Sequence, residues 1–153
     1  MSPEQLHRRH IKALAAADLD AASKLRAQFG PHGDKIAIDY LRAMVAVCVE
    51  YRFGPGAGLG AGPADADELA AFMAEVREAD RHTEPPPDFM AVEAAVRALY
   101  GEPHLMEPLS ARERSRALYL VLRHQLARYP WLAANLDPVI ERAKQVMTVW
   151  VLG

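Results

Sequence analysis

The chain has 153 residues, a size at which one hydrophobic core suffices and folding buries roughly 70% of the surface that the unfolded chain exposes, so a single domain over 1–153 is expected. Its 28 alanines predict helix, and its one cysteine excludes an intrachain disulfide or a cysteine-based zinc cluster. The net charge of −2 favours no polyanionic partner, although residues 54–108 carry 3 basic and 11 acidic side chains while residues 109–153 carry 7 and 3.

In chain order, Ser2, Pro3 and Gln5 signal a helix start, because serine can cap free backbone N–H groups and proline suits the first turn. This helix is expected to reach Ala17. Asp18 or Asp20 caps a second, whose apolar positions Leu19, Ala22, Leu25 and Phe29 keep helical spacing until Gly30-Pro31. A third helix from Asp34 to Phe53 is apolar most of the way round (Ile36, Ile38, Tyr40, Leu41, Met44, Val45, Val47, Cys48, Val49 and Tyr51) and is expected at the centre of the fold.

Gly54 to Pro63 alternates glycine with small residues, and ordering such a stretch is entropically costly, so a flexible loop at 54–64 is expected. A fourth helix from Asp65 turns Leu69, Phe72, Met73 and Val76 inward and stops before Glu84-Pro85-Pro86-Pro87. Asp88 caps a fifth, ended by Tyr100-Gly101. Ser110 with Glu113 forms a capping-box pattern for a sixth, whose buried face is Leu118, Val121, Leu122, Leu126 and Tyr129 and which Pro130 ends or kinks. Asp137-Pro138 opens a last helix with an apolar end, Val146 to Leu152, expected to pack against the bundle or a second copy. Phe29-Gly30, Phe53-Gly54 and Tyr100-Gly101 all suit left-handed caps.

The fold class is therefore all-α, an irregular bundle of six or seven helices around a hydrophobic central helix. The polar start lacks the apolar core of a secretory leader, and no run approaches the ~18 apolar residues of a membrane span. A cytoplasmic protein without membrane contact is expected. The excess of arginine over lysine, 14 to 4, resembles the codon usage of a GC-rich bacterium.

No motif forces a chemistry. Glu4 and His7 have the spacing of one half of a di-iron site, but the second half is missing, so a solvated first turn is the expected state. His7 and His10 lie one turn apart beside Arg8 and Arg9, whose charge opposes a metal cation. Gly56-x-Gly58-x-x-Ala61 mimics a dinucleotide fingerprint without the strand that should precede it, and Asp65, Asp67 and Glu68 would repel phosphate. Cys48 reads as a small core residue. His32, His82, His104 and His124 read as surface residues. No catalytic residue, cofactor or metal site is assigned.

Arg112, Arg114, Arg116, Arg123 and Arg128 concentrate positive charge on the sixth helix, and Glu68, Glu75 and Glu78 form an acidic stripe on the fourth that could face it within the fold or across a dimer. The candidate interaction surface is Arg112, Arg116, Arg123, Arg128 and Trp150. The function this favours is a non-enzymatic regulatory or adaptor module acting through protein–protein contact or as a homodimer, with nucleic acid disfavoured. The alternative is a small-ligand protein or enzyme whose site draws on separate helices, for which Tyr40, Cys48, Tyr51, Trp131 and histidines are the candidate lining.

Overall fold

The computed structural model describes residues 1–153 and contains eight α-helices and no strand. These are α1 (Pro3–Ala15), α2 (Leu19–Arg26), α3 (Gly33–Phe53), α4 (Ala66–Ala79), α5 (Phe89–Leu99), α6 (Ala111–Arg128), α7 (Pro130–Ala134) and α8 (Leu136–Leu152), with a 3-10 turn at Pro103–Met106. No helix is long and apolar enough to cross a membrane.

Local chemistry sets most of the helix starts. Ser2 with Gln5 and Ser110 with Glu113 form complete capping boxes, in which each side chain satisfies the other residue's backbone N–H. Asp18, Asp65 and Asp88 accept from Ala21, Glu68 and Ala91 N–H groups at the starts of α2, α4 and α5. Gly54 and Gly101 take positive φ of 97° and 87° after α3 and α5. Gly30 does not, so the third expected left-handed cap is absent. The first helix ends at Ala15 and not Ala17, the latter adopting φ 56°.

As expected, α3 is the central helix. From Ala43 to Val49 every side chain is buried, with α8, α6, α1 and α4 packed around it. Its ends differ from its middle. Ile36 and Tyr51, expected to face the core on periodicity, are exposed, although Phe53, two residues beyond Tyr51, packs on Phe72 and Tyr100. Leu19, also expected to face inward, is exposed at the first turn of α2.

The segment expected to be a flexible loop makes hydrogen bonds to α3, α5 and α8. The Tyr100 hydroxyl donates to Gly54 O at 2.7 Å, Gly56 N–H to Glu50 at 2.6 Å, Gly58 N–H to Leu99 O at 2.8 Å, and Trp150 Nε1–H to Gly58 O at 2.8 Å. Ala57 is fully enclosed. Gly58 has φ +72°, and a Cβ there would lie 2.9 Å from the Trp150 ring, so both conformation and space require glycine. Gly58→Ala should lower stability by about 1–2 kcal/mol in urea unfolding, from positive-φ strain and displacement of the indole. A midpoint unchanged from the native chain would show that the loop is not held by this contact.

The apolar end of α8 is only partly covered. Val146 and Trp150 face inward, whereas Val149, Val151 and Leu152 are exposed. Helical spacing explains the split: Ala143, Val146 and Trp150 share the face on the bundle, and the other three point away from it.

Candidate functional site

The arginines of α6 do not converge with Trp150. Arg112, Arg116, Arg123 and Arg128 are all exposed, Arg123 lying over the Tyr119 ring at 5.8 Å and Arg128 over Tyr129 at 5.6 Å. Trp150 is instead engaged within the chain, bonded to the Gly58 carbonyl with the Arg42 guanidinium 4.4 Å above its ring.

The acidic stripe of α4 faces one arginine chiefly, and that arginine is on α3. Arg52 donates from Nε to Glu68 at 2.7 Å and from Nη1 to Glu75 at 3.0 Å, with Nη2 also on Glu75. His124 Nε2 and Arg128 Nε stand 3.5 and 3.9 Å from the same Glu75 carboxylate. The bond from Arg52 holds the Glu75 carboxyl below its usual range. His124 is half-buried rather than on the surface, edge-on to Phe72 at 5.0 Å, and burial lowers its pKa while Glu75 opposes that. Glu78 pairs with Arg81 instead. The network ties α4 to the bundle, with Glu75 hydrogen-bonded by Arg52 and with His124 and Arg128 at longer range.

The histidines of α1 contradict the expected solvated turn. His7 and His10 are buried, His7 against Phe29 at 4.4 Å and His10 edge-on to the same ring at 5.2 Å. The lone Glu4 beside them is taken by Lys144 at 3.1 Å and by Arg8. No group of three His, Cys, Asp or Glu side chains lies close enough to hold a metal ion. A cavity of about 60 Å³ beside His10, lined also by Leu14, Arg26, Leu41, Ser115 and Tyr119, has room for one or two waters.

Cys48 is fully buried, and that burial pushes its thiol up to about 12. Tyr40 is buried beside His7, and its hydroxyl lacks a partner. Neither meets Tyr51 or Trp131, so the four residues considered together as a pocket lining divide between core and surface.

The two that reach the surface come together there. Tyr51, from the last turns of α3, and Trp131, from α7, are 50% and 55% exposed, yet their rings lie 5.4 Å apart at 48°. Tyr129 adds a third ring 6.2 Å from Tyr51. It is half-buried at the junction of α6 and α7, packed against the core as expected but with part of its ring in solvent. The cluster opens onto a groove of about 420 Å³ lined by Val47, Glu50, Tyr51, Pro55 and Arg142. Arg142 is exposed with no carboxylate within ion-pair distance, its nearest polar partner being Gln145 at 3.4 Å. Local geometry fixes the cluster: Pro130 starts α7 directly after α6, and the Asn135 amide donates to Trp131 O at 2.8 Å.

No protein-family model, no curated protein and no solved structure matches this chain.

Proposed function

We propose that the chain is a helical protein-binding module, working in a reducing cytoplasmic setting, whose docking face is Tyr51, Tyr129 and Trp131 with Arg128 and Arg142 at its margins. The observation that carries this reading is the side-by-side exposure of Trp131 and Tyr51 beside an open groove. Tryptophan, tyrosine and arginine are the residue types that dominate binding energy at protein interfaces, because each buries a large area with few rotatable bonds or offers several fixed donors. Arg52 is tied internally to Glu68 and Glu75 and Arg8 to Asp137, whereas Arg142 at the groove has no carboxylate partner.

A photo-reactive phenylalanine at Pro55, which lines the groove, should give a crosslinked adduct of discrete mass in host cells, and the same residue at exposed Ala27 should not. Adding Trp131→Ala should reduce the adduct about tenfold while shifting stability by less than about 1 kcal/mol, since the side chain is half in solvent. Equal adducts at both positions, or none at Pro55, would defeat the proposal.

A further inference from the structure

We infer that the cavity enclosed by α3, the end of α5 and the start of α6 is a binding site for a small aliphatic monocarboxylate, held by the Arg42 guanidinium. The cavity shares no lining residue with the groove beside Tyr51, so the two sites stand or fall separately.

Arg42 carries the inference. The half-buried arginines are Arg8, Arg26, Arg42, Arg52, Arg97 and Arg114. All but Arg42 are tied by hydrogen bonds: Arg8 to Asp137, Arg26 to Asp34, Arg52 to Glu68 and Glu75, Arg97 to Glu102, and Arg114 to the carbonyl oxygens of Leu109 and Glu107. Arg42 alone donates to no protein atom and has no carboxylate within ion-pair distance, although it lines the cavity with its guanidinium held 4.4 Å over the Trp150 ring. Burial lowers its pKa, Asp39 opposes that and Arg114 adds to it. A guanidinium so placed gains from an anion that supplies the acceptors the fold does not. The indole beneath it fixes the plane of the fork in advance.

The remaining walls select the anion. The cavity is about 200 Å³, below the roughly 300–1,000 Å³ that encloses a drug-sized molecule, so it suits a small metabolite. Ile38, Met106 and Leu118, with Ala98 and Pro103, give it an apolar side that an aliphatic body would cover. Arg114 adds a second positive charge, its Nη1 unbonded while Nε and Nη2 donate to Leu109 O and Glu107 O at 3.0 and 3.1 Å. Two acids also line the cavity, Asp39, which pairs with Lys35 at 3.9 Å, and the exposed Glu107. Their charge offsets the arginines and disfavours a phosphate dianion, whereas a single carboxylate matches the Arg42 fork with two parallel N–H···O bonds.

Isocaproate, a branched short-chain carboxylate, is the probe, with its neutral amide as the control. Trp131→Phe leaves Trp150 as the only tryptophan, and its emission then reports on the guanidinium above it. Isocaproate should bind saturably with a Kd of roughly 0.1–5 mM, and the amide about tenfold more weakly. Arg42→Gln should weaken isocaproate binding about tenfold, and Arg42→Lys about threefold, because an ammonium keeps the charge without the fork. Ala98→Leu, which fills the apolar side and alters no charge, should also weaken it about tenfold. Calorimetry on the native chain checks the affinity, and circular dichroism separates lost binding from lost fold; the Ala98→Leu result decides if Arg42→Gln does not fold.

No saturation at tens of millimolar isocaproate, equal affinity for the amide, or undiminished binding by folded Arg42→Gln or Ala98→Leu protein would each overturn the inference. Inorganic phosphate that displaces isocaproate at a lower concentration than isocaproate itself requires would overturn it too, since the walls would then not select a monoanion.

Discussion

Arg52→Ala is expected to lower the unfolding free energy by about 2 kcal/mol and to release α4 before the rest of the bundle opens. The Arg52 side chain is only 6% exposed and gives hydrogen bonds to both Glu68 and Glu75 while its guanidinium covers Phe72 at 5.5 Å. Removing a buried charge from its partners costs up to about 3–5 kcal/mol when the partners stay buried. Here Glu68 and Glu75 retain 44% and 38% of their side-chain exposure, so water can take over part of their solvation and the lower figure applies. What remains to hold α4 is Phe72, Met73 and Val76 with the partly buried Leu69. Amide exchange should therefore quicken across Ala66–Ala79 more than in α3 or α8. Arg52→Met, which keeps the cover over Phe72 without the charge, should recover part of the loss. An exchange pattern uniform over all helices would mean that α4 has no separate stability.

The helix starts were legible in the sequence because a cap is a local device: Ser110 meets Glu113 three residues on, whatever the remainder of the chain does. The central position of α3 was legible for a related reason, since a helix apolar nearly all round can be satisfied only by neighbours on every side. α7 escaped because five residues carry no periodicity. The loop's contacts were not legible because its partner Trp150 lies 92 residues from Gly58, and glycine composition reports the cost of ordering without the contacts that offset it.

The exposed aromatic cluster was not legible for a different reason. Tyr51 and Tyr129 follow the core spacing of their own helices, and nothing local shows that their rings meet each other and Trp131 at the surface. Arg142 stands alone in the sequence, whereas the arginines of α6 are dense. For the histidines a signal was present: His7, His10, Ile11 and Leu14 occupy one helical face at spacings of three, four and seven. Read as a stripe, they announce that imidazoles share the buried side of α1.

That burial gives the second large effect, a loss of stability in mild acid. His10 is 4% exposed, packed on Phe29 with Arg26, Ser115 and Tyr119 around the adjoining cavity, and no carboxylate faces it. Burial first, then the charge of Arg26 and the neighbouring His7, lowers its pKa to about 4. His7 is also shifted down by burial. The folded protein therefore binds fewer protons than the unfolded chain wherever the pH lies between about 4 and the ordinary histidine value near 6.5, so stability rises with pH across that window. The contribution is complete above about pH 6.5 and is lost progressively as pH falls towards 4, on the order of 1–2 kcal/mol by pH 5. Carboxylates cannot mimic this onset. Glu4, held low by its bond from Lys144, and Glu75, held low by Arg52, cost stability only as the pH falls below about 4.5. Denaturant unfolding from pH 7 to 5 should thus show a slope that His10→Leu flattens, and the native imidazole should titrate by NMR near pH 4. Should the two proteins share one pH profile above 5, His10 is not the group that titrates, and the acid-sensitive contact between α1, Phe29 and α2 must be sought elsewhere.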